Sequence, residues 1–237
     1  GANGAGQLGR GEGEGTTLVD SSTAAKVVGL SNIASLDHTC AVDKSGGVWC
    51  WGTGPFSWTE DGGVATATRT TPVKLALSPM TKVARSFETA CALLATGDVQ
   101  CWGSNALGQL GPMTETFTGE PMRAALPNGA AAAALEVGNA TFVLREDGSV
   151  VSWGGNPGIG RVSPSFPDPL PQLVSLARVT QIDSAYDNTC AVANGIGYCW
   201  GARVSPFKGT VIDRALPEPV ATPEPLVQIA TTRSESY

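Results

Sequence analysis

Six cysteines and one histidine are the residues of this 237-residue chain best suited to chemistry, and their spacing points to cross-linking rather than catalysis. Cys40 and Cys50, Cys91 and Cys101, and Cys190 and Cys199 form three pairs nine or ten residues apart. This is too wide for the close ligand spacing of a zinc knuckle, and His38 alone cannot complete three sites. No metal or cofactor is expected. No Ser-His-Asp set, HExxH or phosphate-cradling loop occurs, and the positions matching His38 are Thr89, Ala140 and Asn188, so no catalytic residue is assigned. The acidic clusters Glu12-Gly-Glu14 and Thr59-Glu60-Asp61 lack the alternating oxygen ligands of a calcium loop and read as solvated turns. Asn139-Ala-Thr141 satisfies the glycosylation sequon but falls at a fixed repeat position.

The elements that must position the cysteines are hairpins. Antiparallel partners keep a constant sum of residue numbers, so Cys40 opposite Cys50 leaves the loop Lys44-Ser45-Gly46, with Gly at the position that needs a left-handed backbone. Ala95-Thr96-Gly97 and Glu146-Asp147-Gly148 repeat the loop. Between Cys190 and Cys199 one residue fewer is accommodated by Asn194-Gly195, the preferred two-residue turn. At the third hairpin Phe142 and Ser152 replace both cysteines together, as loss of a bonded pair requires. Three local disulfides are therefore expected, each contributing about 2–3 kcal/mol. Free buried cysteine packing as a small hydrophobe is the alternative.

Each hairpin ends in Trp-Gly, at Trp51-Gly52, Trp102-Gly103, Trp153-Gly154 and Trp200-Gly201. A period of about fifty residues marks stacked units that cannot bury an apolar face alone. A unit reads as a leading strand such as Lys82-Val83-Ala84, the Cys-Ala-Leu strand, the Val-x-Cys-Trp strand, and an outer strand near Pro72 to Leu75. Four antiparallel strands repeated radially predict an all-β propeller, with the recurring tryptophans in its core. Ala130 to Ala134 is expected to be loop or weak strand rather than helix. The phase divides one repeat domain, 1–237, into about 4.5 repeats: 1–52, 53–103, 104–154, 155–201 and an incomplete 202–237. Gly1 to Gly9 matches Gly103 to Gly111, and Val227 to Ala230 matches the leading strands, so a fragment of a longer protein is expected.

Cys-Ala-Leu, a Gly turn and Val-x-Cys-Trp-Gly-x-Asn-x-x-Gly-Gln-Leu-Gly, best preserved from Cys91 to Gly111, resemble the repeat of the regulator of chromosome condensation family. The tails after Trp51, Trp153 and Trp200 are weaker copies. The resemblance implies a ring usually of seven blades. With paired cysteines it looks like the secreted bacterial type.

A net charge of −6 with scattered Lys and Arg argues against a nucleic-acid surface. No apolar run reaches membrane-spanning length. Disulfides place the protein in an oxidising setting: secreted, periplasmic or at the cell surface. The expected function is non-enzymatic binding of a protein or surface ligand through variable rim loops, with Phe56, Trp58, Phe117, Phe166 and Phe207 as candidate contacts and Trp58 preferred. The alternatives are a spacer array attached to another domain and, more weakly, nucleotide exchange on a small GTPase.

Overall fold

A computed structural model describes residues 1–11, 18–56, 65–204 and 212–231. Among these residues there are sixteen strands in four sheets, each of four antiparallel strands taken in chain order. The first blade comprises β1 (Ile33–Asp37), β2 (Cys40–Asp43), β3 (Val48–Phe56) and β4 (Ala65–Lys74). The second comprises β5 (Met80–Arg85), β6 (Thr89–Leu94), β7 (Val99–Ser104) and β8 (Phe117–Arg123). The third comprises β9 (Ala132–Val137), β10 (Ala140–Arg145), β11 (Val150–Gly154) and β12 (Asp168–Leu173), so the alanine run is strand from Ala132 onward. The fourth comprises β13 (Val179–Ala185), β14 (Asn188–Ala193), β15 (Ile196–Val204) and β16 (Ile212–Val220). Leading strands β1, β5, β9 and β13 lie against one another along the axis, as a propeller requires.

The hairpin registers agree with the sum rule. Cys40 faces Cys50, Cys91 faces Cys101, Phe142 faces Ser152 and Cys190 faces Cys199. All six cysteines are disulfide-bonded in these three pairs. Gly46, Gly97 and Gly148 have φ of 89°, 86° and 77°, and the shorter fourth loop has both Asn194 and Gly195 at positive φ, as its two-residue turn demands.

Disulfide and tryptophan form a single inter-blade packing unit. The Cys40–Cys50 bridge shares a buried cluster with Trp102 of the next blade, and Cys91–Cys101 shares one with Trp153. In the third blade the Phe142 ring takes the place of the bridge and meets Trp200 edge-on, with centroids 5.8 Å apart. Joint loss of two cysteines is thus a packing exchange, sulfur for an aromatic ring.

The indoles of Trp51, Trp153 and Trp200 also clasp the preceding unit's tail. Trp51 Nε1 donates to the Gln7 carbonyl at 2.8 Å, Trp153 to Gln109 at 2.6 Å and Trp200 to Gly158 at 2.9 Å. The tails present these carbonyls through a shared turn. Asn3 Oδ1 accepts from the Leu8 N–H, as Asn105 Oδ1 accepts from Leu110, and the Gln7 and Gln109 side chains accept from Ala5 and Leu107. The matching segments Gly1 to Gly9 and Gly103 to Gly111 therefore fold alike. After Trp153 the tail is two residues shorter, yet Gly158 still meets Trp200, and a Cβ on Gly160 would lie 2.7 Å from that indole nitrogen. What reads as a weak tail is a working copy with a deletion.

At the other edge of each sheet, the outer strands carry Pro72, Pro121, Pro169 with Pro171, and Pro217 with Pro219. A proline offers no N–H to a further strand. Ile229 and Thr231 repeat the leading-strand contacts against β13, with Gln181 and Ile229 exchanging two 3.0 Å hydrogen bonds.

Two outcomes follow from this packing. Thiol titration of unreduced, denatured protein should find no reactive thiols, and the double change Cys91→Ala with Cys101→Ala should lower unfolding free energy by about 2–3 kcal/mol in urea titration. Trp200→Phe, which keeps a ring but removes the clasp, should cost about 1 kcal/mol, against about 3–5 kcal/mol for Trp200→Ala.

Candidate functional site

Strand direction sorts the loops onto two rims. Leading strands run toward the rim that carries the turns 38–39, 86–88, 138–139 and 186–187, and the third strands return to it, so the tails after Trp-Gly emerge there too. The glycine hairpins lie on the opposite rim. Where the first rim meets the axis, the four blades enclose a pocket of about 480 Å³ with Asp37, Glu136 and Asp183 in its wall.

These acids come from one position of the repeat. Asp37, Glu136 and Asp183 pair with Cys40, Phe142 and Cys190 of their neighbouring strands, while the second blade has Ala84 opposite Cys91. Two of them staple successive leading strands. Asp37 Oδ2 accepts the Arg85 N–H at 2.6 Å, and Asp183 Oδ2 accepts the Thr231 N–H at 2.6 Å and its hydroxyl at 2.8 Å. Burial raises the Asp37 carboxyl above its ordinary value, opposed by the Arg85 N–H and reinforced by the charge of Asp183. Glu136 is held well above the usual carboxylate range, first by burial and then by Asp37 and Asp183, with Lys82 opposing.

Arg85 is the buried cation nearest the pocket. Its guanidinium turns to the Thr39 hydroxyl, the Trp51 carbonyl at 2.7 Å and the Thr53 carbonyl at 2.5 Å, tying the first blade to the second. Burial lowers it to about 10, partly offset by Asp37. A Cβ on Gly54 would sit 1.6 Å from Arg85 Nη2, so glycine there makes room for the arginine. His38 occupies a positive-φ turn position with Nδ1 3.0 Å from the Thr39 hydroxyl, and burial followed by Arg85 lowers its affinity for a proton. Its ring is engaged by a hydroxyl neighbour rather than by a carboxylate, which is no acid–base pair.

Apolar side chains surround the mouth. Phe87, Tyr186 and Leu107 are 55%, 45% and 36% exposed on the pocket's border. Their backbones are fixed: Ser86 N–H donates to Thr89 O at 2.8 Å, Asn139 N–H to Tyr186 O at 2.7 Å, and Leu107 N–H to the Gln109 side chain at 2.9 Å. Asn139 spends its side-chain amide on Asp187 at 2.6 Å, so the sequon asparagine serves the turn.

Of the sequence candidates, Phe117 and Phe166 lie on this same rim, 41% and 73% exposed, but outside the pocket wall. Phe56 ends β3 toward this rim, and Trp58 and Phe207 lie outside the described residues. Sequence reasoning missed Phe87, Leu107 and Tyr186. Two of these sit in the turn between leading strand and cysteine strand, whose length differs between units. Phasing the units on the leading strand would have exposed that variation.

A family model described as the regulator of chromosome condensation repeat matches residues 34–56 and 81–109. The ultraviolet-B receptor UVR8 of Arabidopsis thaliana is 29% identical over 165 residues, covering 65% of this chain and 37% of the receptor. Human WBSCR16 superposes over 98% of this chain and 64% of its own, with a TM-score of 0.77 at 20% identity. Yeast RCC1 (Prp20), solved bound to Kap60, superposes over 82% of this chain and 50% of its own, with a TM-score of 0.69 at 19% identity. The chain therefore spans less than two thirds of the length of each. With blade topology and repeat phase in agreement with these matches, the chain carries regulator of chromosome condensation repeats over the matched residues and resembles that family of β-propellers.

Proposed function

We propose that this chain binds a protein partner, without catalysing a reaction, through the rim that carries the leading-strand turns and the Trp-Gly tails. The observation that carries this reading is the set Phe87, Leu107 and Tyr186, aromatic and aliphatic side chains partly exposed at the pocket mouth in turns closed by backbone hydrogen bonds. Pre-fixed loops avoid much of the ordering cost of association, and aromatic residues dominate interface hot spots. Phe117 and Phe166 extend the same rim outward. Yeast RCC1, which shares the fold, is itself solved with a protein, Kap60, bound to it. Three disulfides support an oxidising location, outside the cell or in a periplasm.

A photo-cross-linking residue placed at Leu107, and in a second sample at Thr96 on the opposite rim, tests the assignment against extracellular proteins of the source organism. A discrete adduct from position 107 and none from position 96 is expected. Changing Phe87 and Tyr186 together to Ala should reduce the adduct about tenfold or more. Equal labelling from both rims, or an adduct indifferent to the double change, overturns the reading.

A further inference from the structure

The wall of the axial pocket and its mouth differ in chemistry, and the combination is selective. Asp37 and Asp183 commit their Oδ2 atoms to the next leading strand, while Glu136 receives no hydrogen bond or ion pair from any described residue. Glu136 is mostly enclosed, and the surface it keeps borders the pocket. The arginine in the wall directs its guanidinium into backbone carbonyls, and Lys82, whose charge opposes the shift at Glu136, is exposed. An acid without a partner in a confined space is costly unless a cation meets it. Among the described residues no three His, Cys, Asp or Glu side chains group as a metal ion requires. Carboxylates that sense one another's charge, yet are not grouped to chelate one ion, suit a larger cation. Phe87 and Tyr186 at the mouth supply aromatic rings for the flat, weakly hydrated surface of such a group.

We propose that this pocket receives an arginine side chain of a bound polypeptide, with Glu136 as its carboxylate partner and Phe87 and Tyr186 flanking the guanidinium. This rests on the rim reading above and names the chemistry that the partner presents there. The pocket volume of about 480 Å³ falls within the range of side-chain and small-ligand sites. Ionised Glu136 is disfavoured by burial and by Asp37 and Asp183, while Lys82 favours it; Glu88, His38 and Arg85 border the same space. Because the pocket holds the Glu136 carboxyl above its ordinary value, a bound cation favours the ionised form and releases a proton, so affinity rises as pH is raised above the ordinary carboxylate range.

The probe is the blocked peptide acetyl-Gly-Arg-Gly-amide, titrated calorimetrically at low salt against the whole chain, with a citrulline peptide as the uncharged isostere. Saturable binding of the arginine peptide with a Kd of about 1 mM or tighter is expected. Affinity should increase at least threefold from pH 5 to pH 8 and fall at least fivefold in Glu136→Gln, whose thermal midpoint should not drop because no described hydrogen bond is lost. Phe87→Ala should weaken the peptide comparably, and a lysine peptide should bind less tightly than arginine. Equal binding of citrulline, absence of saturable binding, or an unchanged affinity in a folded Glu136→Gln protein overturns the proposal. If the adduct from position 107 persists in Glu136→Gln while the peptide fails, only the arginine assignment falls. If the adduct itself is absent, the rim reading falls.

Discussion

The indole clasp is the contact on which the other features depend. Trp51, Trp153 and Trp200 each donate to a carbonyl 44, 44 and 42 residues earlier, in a turn built by the preceding unit. A blade is therefore located by its neighbour's tail and not by its own strands alone. Because Trp153 and Trp200 are buried against the previous blade's bridge or aromatic ring, the polar clasp and the apolar contact fix the same angle between those blades. Removing the acceptor would leave a buried N–H without a partner, which is costlier than the bond itself is stabilising. The pocket at the axis inherits its shape from this arrangement, since its wall combines the leading strands of all four blades with the tail residues Ala106, Leu107 and Gln109.

The exchange of one disulfide for Phe142 and Ser152 shows what the bridge does in this fold. Ser152 turns its hydroxyl to the Ile159 carbonyl at 2.5 Å, and the phenyl ring fills the space facing Trp200. The position is thus defined by the volume it offers the next tryptophan, and sulfur is one of two ways to supply it. Arg85 plays a comparable part on the rim side, where one side chain satisfies two carbonyls and a hydroxyl of the neighbouring blade.

Features written into short stretches of chain were legible before any coordinates. Cys40 to Cys50 contains its own turn, register and cross-link, and the two-residue Asn194-Gly195 variant could be derived from a single deletion. Glu136, Phe87 and Tyr186 were not legible, because what joins them is the ring and not a motif. They lie in three blades, about fifty residues apart, Phe87 and Tyr186 in turns and Glu136 on the strand that leads into one, and the unequal turn lengths hide the correspondence. The need for Gly54 is similarly non-local, since its reason is an arginine in the next blade. The aromatics singled out in the tails, Phe117 and Phe166, lie on the same rim as the axial pocket but outside its wall.

The prolines on the outer strands carry a consequence for how such a molecule survives at high concentration. Every blade ends in a sheet margin that could template pairing with another copy, and four margins on one molecule would permit a branching network. Pro72, Pro121, Pro169 with Pro171, and Pro217 with Pro219 interrupt each margin. Self-recognition by β-pairing is confined to the intramolecular ladders, and contacts with other molecules are left to side chains on the rims, so an array rich in strands can remain dispersed.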